Sequence, residues 1–145
     1  MPRASFFGVV PRAALERLVS AARESARRAY APASSFEVGA AILGANGEMY
    51  CGCNVENASY GLTICAERNA AFHAVAQGCQ EFVAVAVCTP TAVPGTPCGA
   101  CRQVLTEFGR RMEVILVGTG KRVVRVSLEE LLPRAFRFKF RRRGG

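Results

Sequence analysis

Two cysteines three residues apart, in the stretch TPCGACRQVL (residues 96–105), are the first residues of this chain with chemistry to offer. Cys98 and Cys101 fit a redox pair, half of a metal site or two ordinary thiols, and the spacing alone does not choose among them. A third cysteine narrows the choice. In TICAERNAA, Cys65 opens one helical stretch and Cys98 opens another, with the strand-like run EFVAVAVCT between them. A strand flanked by two such helices brings both cysteine-bearing ends to one edge of a sheet, where open α/β sheets place their ligands. Cys98 and Cys101, at i and i+3, share a face of the first helical turn. Helix N-termini favour anions, so thiolates are stabilised there. Three converging thiolates are a zinc donor set. Three protein ligands instead of four leave the position for water that separates catalytic from structural zinc.

Glu67, two residues after Cys65, supplies a carboxylate that can take a proton from a metal-activated water and pass it on. On a regular helix that spacing points the two side chains apart, so the pairing requires the ion to lie off the first turn. By itself Glu67 would do no more than complement the helix dipole; three thiolates nearby change its meaning. The other cysteines are poor fourth ligands. Cys51 and Cys53 share one face of a strand, Cys79 and Cys88 fall at a helix end and a strand end, and all four read as small buried hydrophobes. His73, the single histidine, sits mid-helix and reads as core or surface filler.

The elements that must position these residues follow from pattern. A helix begins with Pro11 as its first residue and runs to about Tyr30, where Pro32 stops it. EVGAAILG and EMYCGCNV form a hairpin across Asn46-Gly47. CAERNAAFHAVAQG is a helix closed by Gly78, and EFVAVAVCT a central strand buried on both faces. A Thr/Pro/Gly-rich loop leads to a helix over residues 98–108, with Thr96 as N-cap and Pro97 as its first residue. MEVILVG and RVVRVS add two strands and LEELLPRAF a short last helix. The expected architecture is a single α/β domain, residues 1–136, with helices layered on both faces of a mixed five-stranded sheet, followed by a basic tail, residues 137–145.

Composition bounds the function. With 145 residues the chain can bury a real core, and no apolar run approaches the ~18 residues of a membrane span. No apolar stretch near the N-terminus is long enough for a secretory signal. Seven cysteines, an odd number, argue against a disulfide framework and for a cytoplasmic protein with metal, catalytic or buried thiols. The net charge is +8, but Arg134, Arg137, Lys139, Arg141, Arg142 and Arg143 carry six of those charges, and without them the balance is +2. The basicity belongs to the tail, which reads as a solvated end before it reads as a nucleic-acid arm.

Cys-x-Glu followed by Pro-Cys-x-x-Cys matches the signature of the zinc deaminases, with cysteine in place of their histidine. FEVGAAIL, GCNVENASYGLTICAERNAA, PCGACRQVLTEF and LLPRAF are similar to the small homotetrameric cytidine deaminases, over about residues 30–136. The resemblance implies a cytidine deaminase-like fold, one Zn²⁺ per chain on Cys65, Cys98 and Cys101, and Glu67 as proton shuttle. The implied reaction is attack of water at C4 of cytidine or deoxycytidine, with ammonia leaving and uridine or deoxyuridine remaining, a step of pyrimidine salvage. It further implies that Arg68 offsets the thiolate charge, that Asn54 and Glu56 hold the ribose hydroxyls, that Phe36 walls the pocket and that the Ala66 backbone meets the pyrimidine. Ala58, Tyr60 and Phe136 match positions that reach a neighbouring subunit's site in a homotetramer. Two features depart from the family pattern: Ala33 stands where a tyrosine is common, and the tail has no counterpart.

Rival readings share some of these features. A deaminase of another aminopyrimidine nucleoside, such as blasticidin S, would use the same zinc chemistry, but the run from Asn54 to Tyr60 favours cytidine. A nucleic-acid deaminase or binding module needs an open groove with stacking platforms, and this chain has no tryptophan and no insertion to build one. A non-enzymatic zinc protein would leave Glu67 and the open fourth position unexplained.

Overall fold

The computed structural model describes residues 10–140. Helix α1 (Arg12–Ala26) is followed by β1 (Gly39–Gly44), β2 (Met49–Cys53), a 3-10 turn (Tyr60–Leu62), α2 (Ala66–Ala76), β3 (Phe82–Cys88), α3 (Gly99–Thr106), β4 (Glu113–Val117), β5 (Val123–Ser127) and α4 (Leu128–Leu131). One five-stranded sheet has the order β2-β1-β3-β4-β5. Only β3 and β4 run parallel, and α3 is the crossover that joins them. The other pairs are antiparallel, so the sheet is mixed as expected.

Side chains alternate between two cores because a strand's residues face opposite sides in turn. Val85, Val87, Val114 and Leu116 pack under α2 and α3 with Ala66, Ala70, Ala71, Ala74 and Leu105. Ala84, Ala86, Ile115 and Val117 face the opposite layer, with Leu18 and Ala22 of α1. The alanine-rich centre lets helices come close. A Cβ on Gly52 of β2 would lie 2.3 Å from the Ala70 nitrogen and 2.7 Å from the Ala66 oxygen, so only glycine seats α2 there. Gly78, at φ +91°, takes the chain out of α2 in the left-handed region that glycine occupies without strain.

Several boundaries differ from the sequence expectation. Pro11 is the N-cap of α1, not its first residue, and the helix ends at Ala26. Tyr30 is withdrawn from it because its N–H donates to the Asn54 carbonyl at 3.0 Å and it bridges Val55. Cys98, not Thr96, is the N-cap of α3, and Gly99 is its first residue. Residues 135–140 carry neither helix nor strand. The remainder of the tail, 141–145, and residues 1–9 lie outside the described residues. No helix among the described residues is long and apolar enough to cross a membrane.

Candidate active site

Cys65 and Cys98 are the N-cap residues of α2 and α3, and Cys101 lies one turn into α3. The carboxyl end of β3 lies at the same place: Val87 and Thr89 line a cavity together with Cys65, Ala66, Glu67 and Cys98. The Sγ atoms of Cys65 and Cys98 are 3.9 Å apart, and all three Sγ atoms lie within 4.8 Å of one another. Tetrahedral zinc with Zn–S bonds of about 2.3 Å requires S···S separations of about 3.8 Å. The cluster therefore fits one zinc ion per chain. Among the described residues no fourth cysteine, histidine or carboxylate joins it.

The other cysteines stand apart. All seven are free thiols. Cys79 and Cys88 are buried as expected, whereas Cys51 and Cys53 are only half-buried, a correction that follows from their place on the edge strand β2. His73 is exposed, with a ring nitrogen 3.1 Å from the Cys51 carbonyl, and ligates nothing.

Charge at the cluster is balanced from one side. Arg68 donates from Nη2 to Cys65 Sγ at 3.3 Å. A hydrogen bond from the Cys101 thiol and this guanidinium pull the Cys65 thiol down to about 5. Cys101 moves the opposite way: it gives that hydrogen bond, and it is fully buried. Glu67 is 4 % exposed, and burial raises its carboxyl above the ordinary carboxylate range.

The cavity has a volume of about 390 Å³, the size range of small-molecule sites. Phe36, Asn54, Glu56, Tyr60 and Ala66 line it. Glu56 Oε1 accepts from the backbone N–H groups of Ala33 at 2.8 Å and Ser34 at 3.2 Å. The Ser34 hydroxyl and these amides hold the Glu56 carboxyl below its ordinary value. Because Ala33 contributes its backbone, its missing side chain leaves this contact intact. Asn54 donates from Nδ2 to the Phe36 carbonyl at 2.7 Å and accepts at Oδ1 from Val38 N–H at 2.9 Å. Its second amide hydrogen and second lone pair remain for a ligand. Ala66, first residue of α2, has one of the first-turn N–H groups that a helix leaves unpaired.

The three positions matched to a neighbouring subunit's site fall in different places in the single chain. Tyr60 lines the cavity of its own chain. Ala58 and Phe136 do not: both are exposed, Phe136 at 73 %. Sequence reasoning missed Ser34, Val38, Thr63, Thr89 and Thr96 as cavity residues. Only Thr89 carried a usable signal, its place at the carboxyl end of the central strand. Its hydroxyl accepts from Gly95 N–H at 2.9 Å and lies 2.8 Å from Thr91 Oγ1, which donates to the Val93 carbonyl. With the Thr91 proton committed, Thr89 must donate to Thr91, and the loop ahead of Cys98 is laced into one conformation.

The model of the cytidine and deoxycytidylate deaminase zinc-binding region matches residues 12–117. This chain belongs to that family of zinc-binding deaminases. It is 44 % identical over 123 residues to the cytidine deaminase of Sporosarcina psychrophila, covering 84 % of this chain and 90 % of that one. Among solved structures, cytidine deaminase from Burkholderia pseudomallei is 48 % identical, with a TM-score of 0.81 over 83 % of this chain and 98 % of that one. The cytidine deaminase of Mycobacterium tuberculosis is 39 % identical, with a TM-score of 0.73 over 85 % and 97 %.

Proposed function

We infer that this chain catalyses the hydrolytic deamination of cytidine and deoxycytidine, giving uridine or deoxyuridine and ammonia. The observation that carries the reading is the convergence of three thiols and one buried carboxyl, Glu67, at the base of a cavity whose wall carries Asn54 and Glu56. When bound by Cys65, Cys98 and Cys101, zinc supplies a Lewis acid that brings the pKa of a water to about 7.

The chain's own groups do the rest. Glu67 takes a proton from the attacking water, delivers it to N3 of the cytosine ring, and carries a further proton to the departing amine. Its raised pKa suits this, because a proton shuttle works best when its pKa approaches the working pH. Three thiolates around a dication sum to −1, which weakens the Lewis acid, and Arg68 offsets that excess. Glu56 and the free half of the Asn54 amide receive the ribose diol. Phe36 covers a face of the nucleoside, and the Ala66 N–H meets the pyrimidine.

Ala58 and Phe136, exposed in the single chain, reach a neighbouring subunit's site, and the working form is a homotetramer. Residues 137–145 are an appended tail to a domain of residues 1–136. The cytoplasm is the compartment that keeps seven unpaired thiols reduced. The test is the ultraviolet absorbance of cytidine with purified protein. Absorbance should fall as ammonia appears in equal amount, and a chelator should stop both. Absorbance that stays constant with zinc-loaded protein would overturn the reading.

A further inference from the structure

Cys98 is the most exposed of the three thiols, and it stands where a loop enters α3. Arg102, which follows Cys101 on α3, grips that loop. Its backbone N–H donates to the Cys98 carbonyl at 3.0 Å. Its side chain donates from Nε to the Pro97 carbonyl at 2.7 Å and from Nη2 to Thr96 Oγ1 at 3.1 Å. The remaining arm, Nη1, donates to the Leu131 carbonyl at 2.8 Å, in the last turn of α4. The next residue, Gln103, donates from Nε2 to the Phe136 carbonyl at 3.1 Å. One guanidinium thus joins the two residues preceding a metal ligand to the segment that leads to Phe136. A planar fork with five donors can hold three divergent acceptors at once, whereas a lysine ammonium is a single point of contact.

We infer that Arg102 is a positioning residue that ties the Cys98 arm to the C-terminal segment, so that metal binding and the order of that segment are coupled. The inference rests on the reading of Cys65, Cys98 and Cys101 as a metal centre. Coupling of this kind is reciprocal: whatever holds the segment favours the metal, and the metal holds the segment.

The test uses full-length protein loaded with Co²⁺, whose d–d and sulfur-to-metal bands report ligand geometry. In Arg102→Met the affinity for Co²⁺ should fall by ~10–100-fold, the range for groups that orient metal ligands. The d–d bands should shift, and amide exchange over residues 128–136 should quicken. Arg102→Lys should recover at most part of each. Gln103→Leu, which removes one contact to the same segment, should quicken exchange near Phe136 and lower Co²⁺ affinity by less than Arg102→Met does. Wild-type affinity and spectrum in Arg102→Met would overturn the inference while leaving the metal centre standing; so would lost affinity with unchanged exchange at 128–136. Failure of the wild type to bind Co²⁺ would remove the metal centre and the inference together. If Arg102→Met does not fold, Thr96→Val, which deletes only the Nη2 contact at an exposed position, carries the same test: a smaller loss of affinity supports the tie, and none contradicts it.

Discussion

Two carboxyls in one cavity are pushed in opposite directions, in keeping with the separate work proposed for them. Burial raises Glu67, whereas the Ser34 hydroxyl and the backbone amides of Ala33 and Ser34 lower Glu56. Glu67 is thereby suited to exchanging protons and Glu56 to staying ionised against a sugar diol. Glu67→Gln should keep its zinc and its fold and lose ~10²–10⁴-fold or more in turnover, since one group makes several proton transfers. Metal analysis beside a steady-state assay checks this, and half-maximal activity would mean that another base acts. For Glu56 the folded carboxyl titrates below the unfolded one, so its contribution to stability is complete above the unfolded value. It is lost as pH falls through the lower folded value. Thermal melts should therefore show wild type losing an acid-side increment below about pH 4.5 that Glu56→Gln lacks.

At the scale of elements, hydrophobic period and turn residues made all five strands and four helices legible, along with the cysteine-bearing helix starts. Competing side-chain contacts were not legible. Thr96 looks like an N-cap, but Arg102 claims its hydroxyl and Cys98 takes the cap position. Tyr30 continues a helical pattern, but pairing with residues 54 and 55 draws it away. The cavity residues Ser34, Val38 and Thr63 come from separated segments, and nothing local marks them as neighbours. The metal ligands were legible because their chemistry needs helix ends, and helix ends are written in sequence. Gly52 tests the packing that sets one of those ends. Gly52→Ala would drive a methyl into the backbone of α2 at Ala66 and Ala70, which cannot retreat without moving Cys65. A loss of about 1–3 kcal/mol in denaturant unfolding, with weaker zinc retention, is expected; unchanged stability would show that α2 shifts freely.

At the scale of the molecule, the exposed aromatics ask for an assembly. Tyr30, Tyr60, Leu62 and Phe136 are each more than half exposed, apolar area that a second copy of the chain would cover. Light scattering should find a tetramer, and an active monomer would contradict the role given to Phe136. The tail is a separate matter. Phe138 and Phe140 pack edge to face on each other, both remain exposed, and Gln103 anchors the chain at Phe136 before them. Deleting residues 137–145 should leave cytidine turnover nearly intact, and its loss on truncation would make the tail part of the site. All of this rests on a metal held by three thiols and used for hydrolysis. That claim is tested most directly by titrating zinc into metal-depleted protein and following cytidine turnover against bound metal. Turnover should rise in proportion to zinc and stop rising at one ion per chain. Turnover that is indifferent to zinc, or that needs a second ion, would contradict it.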